Sequence, residues 1–181
     1  MKIRGRAWTF GANINTDLIF PKSYFRPTYE PGEMASHLMA GLDPDFPAKA
    51  KSGDVIVAAP NFGCGSSREE AAAAMKEFGI GAVIAPSFSR LFMRNGINFG
   101  LPVVTAANIH EHVSEGDEIE VDLVEATLKN ITTGYETRLP PLAPESLRMM
   151  KDGGIKAYTR RILEERKAAA AILQSAKNPA A

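Results

Sequence analysis

The sequence predicts an α/β protein with an antiparallel β portion, on three observations. A β-branched apolar run, a Gly-rich turn, an alanine-rich helical segment and a second apolar run follow Asp54 within about 35 residues, the length of a parallel βαβ unit. Further on, GDEIEVDL, ATLKNITT and YETRLPPL alternate apolar and polar residues with turn formers between them, as in a β meander. The last part of the chain, from PESLRMMKDGG onward, has helical composition.

Taken in order, Lys2 to Phe10 alternates basic and apolar residues and reads as a strand. GANINTD (11–17) is dense in turn formers, with Asp17 closing the turn, and Leu18-Ile19-Phe20 run up to Pro21. SYFRPTYEPGE (23–33) reads as a loop, and residues 34–42 carry helical spacing at Met34, Leu38 and Leu42. DPDFPAKAKSGD (43–54) reads as a Pro-rich surface connection. DVIVAAP (54–60) is a buried strand, and NFGCGSSRE (61–69) is a strand-to-helix turn. EEAAAAMKEFGI (69–80) is a helix ended by Gly79 or Gly81, and GAVIAPS (81–87) is a second buried strand. FSRLFMRNGI (88–97) is a helix stopped by Gly96, and GLPVVTA (100–106) is a third strand. After the meander, residues 144–154 and Ala157 onward are helical, and Asn178 to Ala181 are expected to fray. Residues 1–165 are read as one domain and 166–181 as an Ala-rich helical tail.

Composition excludes several functions. The 21 Lys and Arg balance 21 Asp and Glu among 181 residues, so the basic excess expected of a nucleic-acid binder is missing. With 45% hydrophobic and 23% charged residues the chain has the make-up of a globular protein. No apolar run is long enough to span a membrane, and MKIRGRAWTF lacks the apolar stretch of a secretory signal. A soluble protein of the cytoplasm is the expectation. One cysteine rules out an intramolecular disulfide and cannot supply the three or four ligands an iron–sulfur cluster normally needs.

The turn NFGCGSSRE concentrates the chemistry. Gly63 and Gly65 allow close approach of the backbone to a ligand. Ser66 or Ser67 is expected to cap the following helix, with Glu69 or Glu70 completing a capping box. Free N–H groups at a helix start attract an anion, and an anionic ligand explains why Arg68 sits where the helix dipole disfavours it. An anion-binding turn of Ser66, Ser67 and Arg68 is therefore preferred over a serine-capped helix with a solvated arginine. It is neither a P-loop nor a nucleophile elbow. Cys64 is read as a small filler more readily than as a reactive thiol. His110 and His112 could bind metal if they share one face of a strand, but no third ligand accompanies them, and a surface pair is preferred. His37 is read as structural or exposed. Asp17 ends an Asx-type turn or supports a site. Arg26 either presents its fork to a carboxylate or stacks on Tyr24 or Phe25.

NFGCGSSRE, together with GAVIAPSFSRLFMRNGINFGLPV, the early NINTDLIFPKSY and the late GGIKAYTRR, resembles the small-subunit family of 3-isopropylmalate dehydratase, in the aconitase superfamily. The resemblance runs from Lys2 to about Glu165, and it implies that residues 1–165 form a swivelling β/β/α domain of the aconitase type. This has a parallel βαβ core, an antiparallel β portion and C-terminal helices. The resemblance also implies a large-subunit partner carrying a four-iron–four-sulfur cluster, none being held by this chain, and a hydroxy di- or tricarboxylate substrate isomerised by dehydration and rehydration in leucine biosynthesis. It implies that Ser66 removes the substrate proton, that Ser67 and Arg68 bind a substrate carboxylate, and that Asp17, with Gly63 and Gly65, supports the site. Arg26 falls on the loop that sets substrate choice, where an arginine suits a third carboxylate. Glu70 stands where the family commonly has His. These two positions keep homoaconitase and 2,3-dimethylmalate dehydratase small subunits as alternatives. An anion-binding regulatory module is the alternative outside enzymes. Self-association of the isolated chain is left open.

Overall fold

Lys2–Phe10 forms β1, which holds the sheet together from its middle. Its second half, Ala7 to Phe10, pairs in parallel with β2 (Val55–Ala58), and its first half, Lys2 to Arg6, pairs antiparallel with β5 (Glu118–Asp122). Beyond β2 the parallel side continues through β3 (Ala82–Ala85) to β4 (Val103–Thr105). Beyond β5 the antiparallel side continues through β6 (Thr127–Asn130) to β7 (Glu136–Arg138). The sheet order is β4-β3-β2-β1-β5-β6-β7. This computed structural model describes residues 1–177, with side chains through residue 171.

Both central parallel strands are buried on both faces, and the two-residue period of a strand sorts their side chains between two cores. Ile56, Ala58, Val83 and Ala85 join Phe20, Phe46, Phe62 and Met75 on one side. Val55, Val57, Ala82 and Ile84 join Ile119, Val121 and Met150 on the other. The first core is covered by α4 (Glu70–Phe78), whose alanines 71–74 are all buried. Gly79 ends α4 in the left-handed region, at φ 91°.

The short N-terminal helices are α1 (Thr16–Ile19), α2 (Glu33–Ser36) and α3 (Phe46–Lys49). After β3 comes α5 (Arg90–Phe99), and the chain closes with α6 (Pro144–Asp152) and α7 (Ile155–Lys177). Residue 165 lies within α7, a single continuous helix. The expectation for Asn178 to Ala181 lies outside the described residues.

Four local readings change. Asp17 does not close the turn but sits in the first turn of α1, because Asn15 caps that helix by accepting from Leu18 N at 2.9 Å. The 43–54 segment is not a plain surface connection: Phe46 is fully buried against Trp8, Phe10 and Phe78. The 34–42 helix is cut to Glu33–Ser36, and Leu38 and Met39 are buried from the turns that follow. Gly96 does not stop α5, which runs to a Gly100 cap; a side chain at Gly96 would meet Val103 Cγ2 at 2.4 Å.

Candidate active site

The serine turn leaves the C-terminal end of β2 and enters α4, at the sheet edge where ligands gather in open α/β folds. Asn61, Gly63 and Gly65 all have positive φ (70°, 70° and 93°), so the chain folds tightly on itself. Gly63 is also constrained from outside, since an added Cβ would fall 2.2 Å from the Phe92 ring.

The carbonyls of this turn are taken by neighbouring elements. Thr16 N donates to Cys64 O at 3.0 Å, and Thr16 Oγ1 donates to Ser66 O at 3.4 Å. Ser89 Oγ donates to Gly63 O at 2.6 Å, and Asn95 Nδ2 donates to Ser67 O at 3.4 Å. In a trans peptide the N–H points opposite the C=O. Capture of the carbonyls of Cys64, Ser66 and Ser67 therefore turns the N–H groups of Gly65, Ser67 and Arg68 the other way. Among the described residues those amides, and the hydroxyls of Ser66 and Ser67, have no hydrogen-bond partner. Such a run of free donors is an anion-binding arrangement. Neither serine caps α4. The N-cap position is Glu69, in helical conformation with no side-chain cap bond, so both hydroxyls stay free and the capping-box expectation fails.

Arg68 and Asp17, distant in sequence, come together: Arg68 Nη1 donates to Asp17 Oδ1. The Arg68 guanidinium also lies over the Phe25 ring, 4.6 Å from its centroid. Its side chain is 20% exposed, so it is held without being sealed off. Asp17 is placed by α1, which in turn rests on the 39–41 turn. Met39 N donates to Ile19 O at 2.7 Å and Gly41 N to Leu18 O at 3.1 Å. Only hydrogen could sit at Gly41, where a Cβ would lie 2.6 Å from Leu18 Cα.

Arg26 stands apart from this cluster. Its Nη1 donates to the carbonyls of Ser23 (3.2 Å) and Phe25 (2.9 Å) within its own exposed loop. Its neighbour Phe25, not Arg26, touches the site. His37 stacks on Tyr24 at 3.8 Å and belongs to the aromatic cluster around Phe20. His110 and His112 fall on a 3₁₀ turn (Ile109–Glu111 and its end) and not on a strand, and His112 stacks on Tyr135. Among the described residues no three His, Cys, Asp or Glu side chains gather as a metal-holding group.

Sequence reading missed Thr16, Phe25, Ser89 and Asn95. Ser89 had a local signal, a serine directly before a helical run, and it caps α5 by accepting from Phe92 N at 3.2 Å. The others act through contacts between distant segments. A cavity of about 330 Å³ adjoins the turn, lined by Glu69, Asn95, Asn98, Phe99, the Gly153–Gly154 pair, Ile155 and Lys156.

Residues 12–108 match the family model for the aconitase C-terminal domain. The isopropylmalate/citramalate isomerase small subunit of Methanocaldococcus jannaschii is 47% identical over 90% of this chain and 96% of its own length. The methanogen homoaconitase small subunit of Methanothermobacter thermautotrophicus is also 47% identical, over 84% of this chain and 88% of its own. The crystal structure of 3-isopropylmalate dehydratase from M. jannaschii superposes with a TM-score of 0.84 at 43% identity, covering 92% of this chain and 99% of that one.

Proposed function

The chain belongs to the 3-isopropylmalate dehydratase small-subunit family of the aconitase superfamily, and from that premise we propose that it supplies the proton-transfer and carboxylate-binding half of a hydro-lyase active site. The complete enzyme forms with a large subunit and interconverts 2- and 3-isopropylmalate by dehydration and rehydration, a step of leucine biosynthesis. One observation carries the reading: Ser66 and Ser67 stand free in a turn of unpaired amides beside Arg68, a guanidinium held by Asp17 and Phe25.

The chemistry of each residue follows from its surroundings. A guanidinium has five N–H donors, and the bond to Asp17 uses one, so Arg68 keeps donors for a substrate carboxylate. Asp17 and the Phe25 ring fix the plane of that fork before substrate arrives, which lowers the entropy cost of binding. Ser67 adds a hydroxyl donor. Ser66 takes the proton from the carbon adjacent to the one that loses the hydroxyl, and the C–H electron pair forms the double bond. A serine performs this only where fixed dipoles and cations favour its anion, and the free turn amides, the start of α4 and Arg68 supply such a field.

The described residues do not fit an iron–sulfur cluster, since Cys64 is the chain's one cysteine. A four-iron–four-sulfur cluster on the large subunit would supply the Lewis acid that assists loss of the hydroxyl. The partner follows from the "small subunit" in the relatives' names.

A second substrate reading rests on Arg26, an arginine on an exposed loop whose neighbour Phe25 touches Arg68. Freed from its own loop carbonyls, Arg26 could meet a third carboxylate, as a homoaconitase substrate requires. The deciding experiment is anaerobic reconstitution with the large subunit and an ultraviolet assay of alkene formation, testing 3-isopropylmalate, citramalate, homocitrate and 2,3-dimethylmalate side by side. Turnover of 3-isopropylmalate is the expected result. Turnover of homocitrate alone would transfer the assignment to the second reading. Failure of a cluster-loaded complex on all four would overturn the hydro-lyase reading in favour of an anion-binding regulatory module.

A further inference from the structure

Ser89, the cap of α5, and Phe92 and Asn95 within the helix are spaced three apart, and together they grip the serine turn. Ser89 holds the Gly63 carbonyl on one side of Ser66, and Asn95 holds the Ser67 carbonyl on the other. Phe92 fills the space that any side chain at position 63 would need. Asn95 is 7% exposed, and burying a carboxamide is costly unless its hydrogen bonds are used. It also borders the cavity shared with Glu69, Asn98 and Lys156, so dense packing does not hold the turn on that side.

We infer that Asn95 is a positioning residue of the reaction, fixing the Ser67–Arg68 peptide so that the Arg68 N–H and the Ser66–Ser67 hydroxyls meet substrate in one arrangement. This rests on the proposed role of Ser66. Asn95 pulls the Ser67 carbonyl toward α5, and the planar trans peptide then directs the Arg68 amide to the opposite side. Without that bond the peptide is free to rotate. Its N–H is then lost to the site, although the helices and the sheet are unchanged.

The test uses the cluster-loaded complex of both subunits and the hydroxy acid that the wild-type complex turns over. Asn95→Asp keeps the shape but sets a carboxylate oxygen against the Ser67 carbonyl. Asn95→Leu removes the donor. Asn98→Leu changes the same cavity at a residue that makes no hydrogen bond to the turn. For Asn95→Leu, kcat/KM is expected to fall about 100-fold, mostly in kcat, as for a small misplacement of reacting groups. For Asn95→Asp, the acid limb of the kcat/KM pH profile is expected to move to higher pH as well, because a new negative charge disfavours a serine anion. Asn98→Leu is expected to retain wild-type kinetics. Wild-type kcat/KM and an unmoved acid limb in Asn95→Asp would overturn the inference, as would an equal loss in Asn98→Leu. If Asn95→Leu fails to fold, the isosteric Asn95→Asp decides alone. Ser66→Ala serves as a separate control: wild-type turnover there would remove the reading of the site itself, whatever the Asn95 variants do.

Discussion

On the antiparallel side of β1, Arg4 reaches both oxygens of Glu118 at 2.7 and 2.8 Å, and the pairs Lys2–Glu120 and Lys129–Glu136 stand 3.7 and 3.9 Å apart. On the parallel side, Arg68 pairs with Asp17 beside the serine turn. The two kinds of pair look alike in a catalogue of ion pairs and differ in what surrounds them. The meander pairs lie on a solvated sheet surface, where water competes for both partners. Arg68 has an aromatic ring on one face and a row of unpaired amides in the adjoining turn. Charge on the meander keeps a sheet face wet, while on the proposed reading charge at the turn is kept in reserve for a ligand. It is the setting that separates the two kinds of pair.

Mutations at both ends can break or sharpen that contrast. Ser66→Ala should have the largest effect on chemistry, a fall in turnover of about 10²–10⁴-fold, with an unchanged melting temperature because the side chain is exposed. Steady-state kinetics beside a thermal melt checks this, and a large loss of stability would show the turn to be structural. Phe46→Ala should have the largest effect on stability, about 3–5 kcal/mol by denaturant unfolding. Arg68→Lys keeps the charge but loses the planar fork and its stacking on Phe25, so kcat/KM should drop roughly 100-fold. Arg4→Met, the matching change on the meander, should leave kinetics untouched and the melt close to wild type. An effect comparable to Arg68→Lys would erase the distinction between the regions.

The smallest effect is one of pH. The backbone N–H groups of Val124 and Glu125, with the N-terminal ammonium, hold the Asp122 carboxyl below its ordinary value of 3.8. A lowered folded value means the charged form favours the folded state. This stabilisation is complete above the ordinary value and is lost as the pH falls through the lowered one. The melting-temperature advantage of wild type over Asp122→Asn should therefore be full at neutral pH and vanish in strong acid. An advantage that persists in acid would mean Asp122 works through packing.

Much of the fold was legible in the sequence, and the reason is periodicity. The continuous apolar runs at 55–58 and 82–85 announced strands buried on both faces, and β1 falls on the residues read for it. The N-terminal third was less legible, because α1, α2 and α3 are four residues each, too short to show a helical period. Phe46 hid among prolines and charges and became core only through Trp8, Phe10 and Phe78. The serine turn was legible from its glycines and serines. Its supports were not, since Thr16, Phe25 and Asn95 reach it from 28 to 50 residues or so away along the chain, at separations no local pattern encodes.

The place of β1 bears on how the chain can be divided. The family match begins at residue 12, after β1 has ended, yet β1 is the strand between β2 and β5. A fragment trimmed to residues 12–108 would keep every residue of the serine turn and lose the strand that closes the edge of β2. It would present a bare, fully apolar strand edge to other molecules, a template for aggregation. The domain is thus shorter in sequence recognition than in physical integrity, and its first ten residues behave as a keystone.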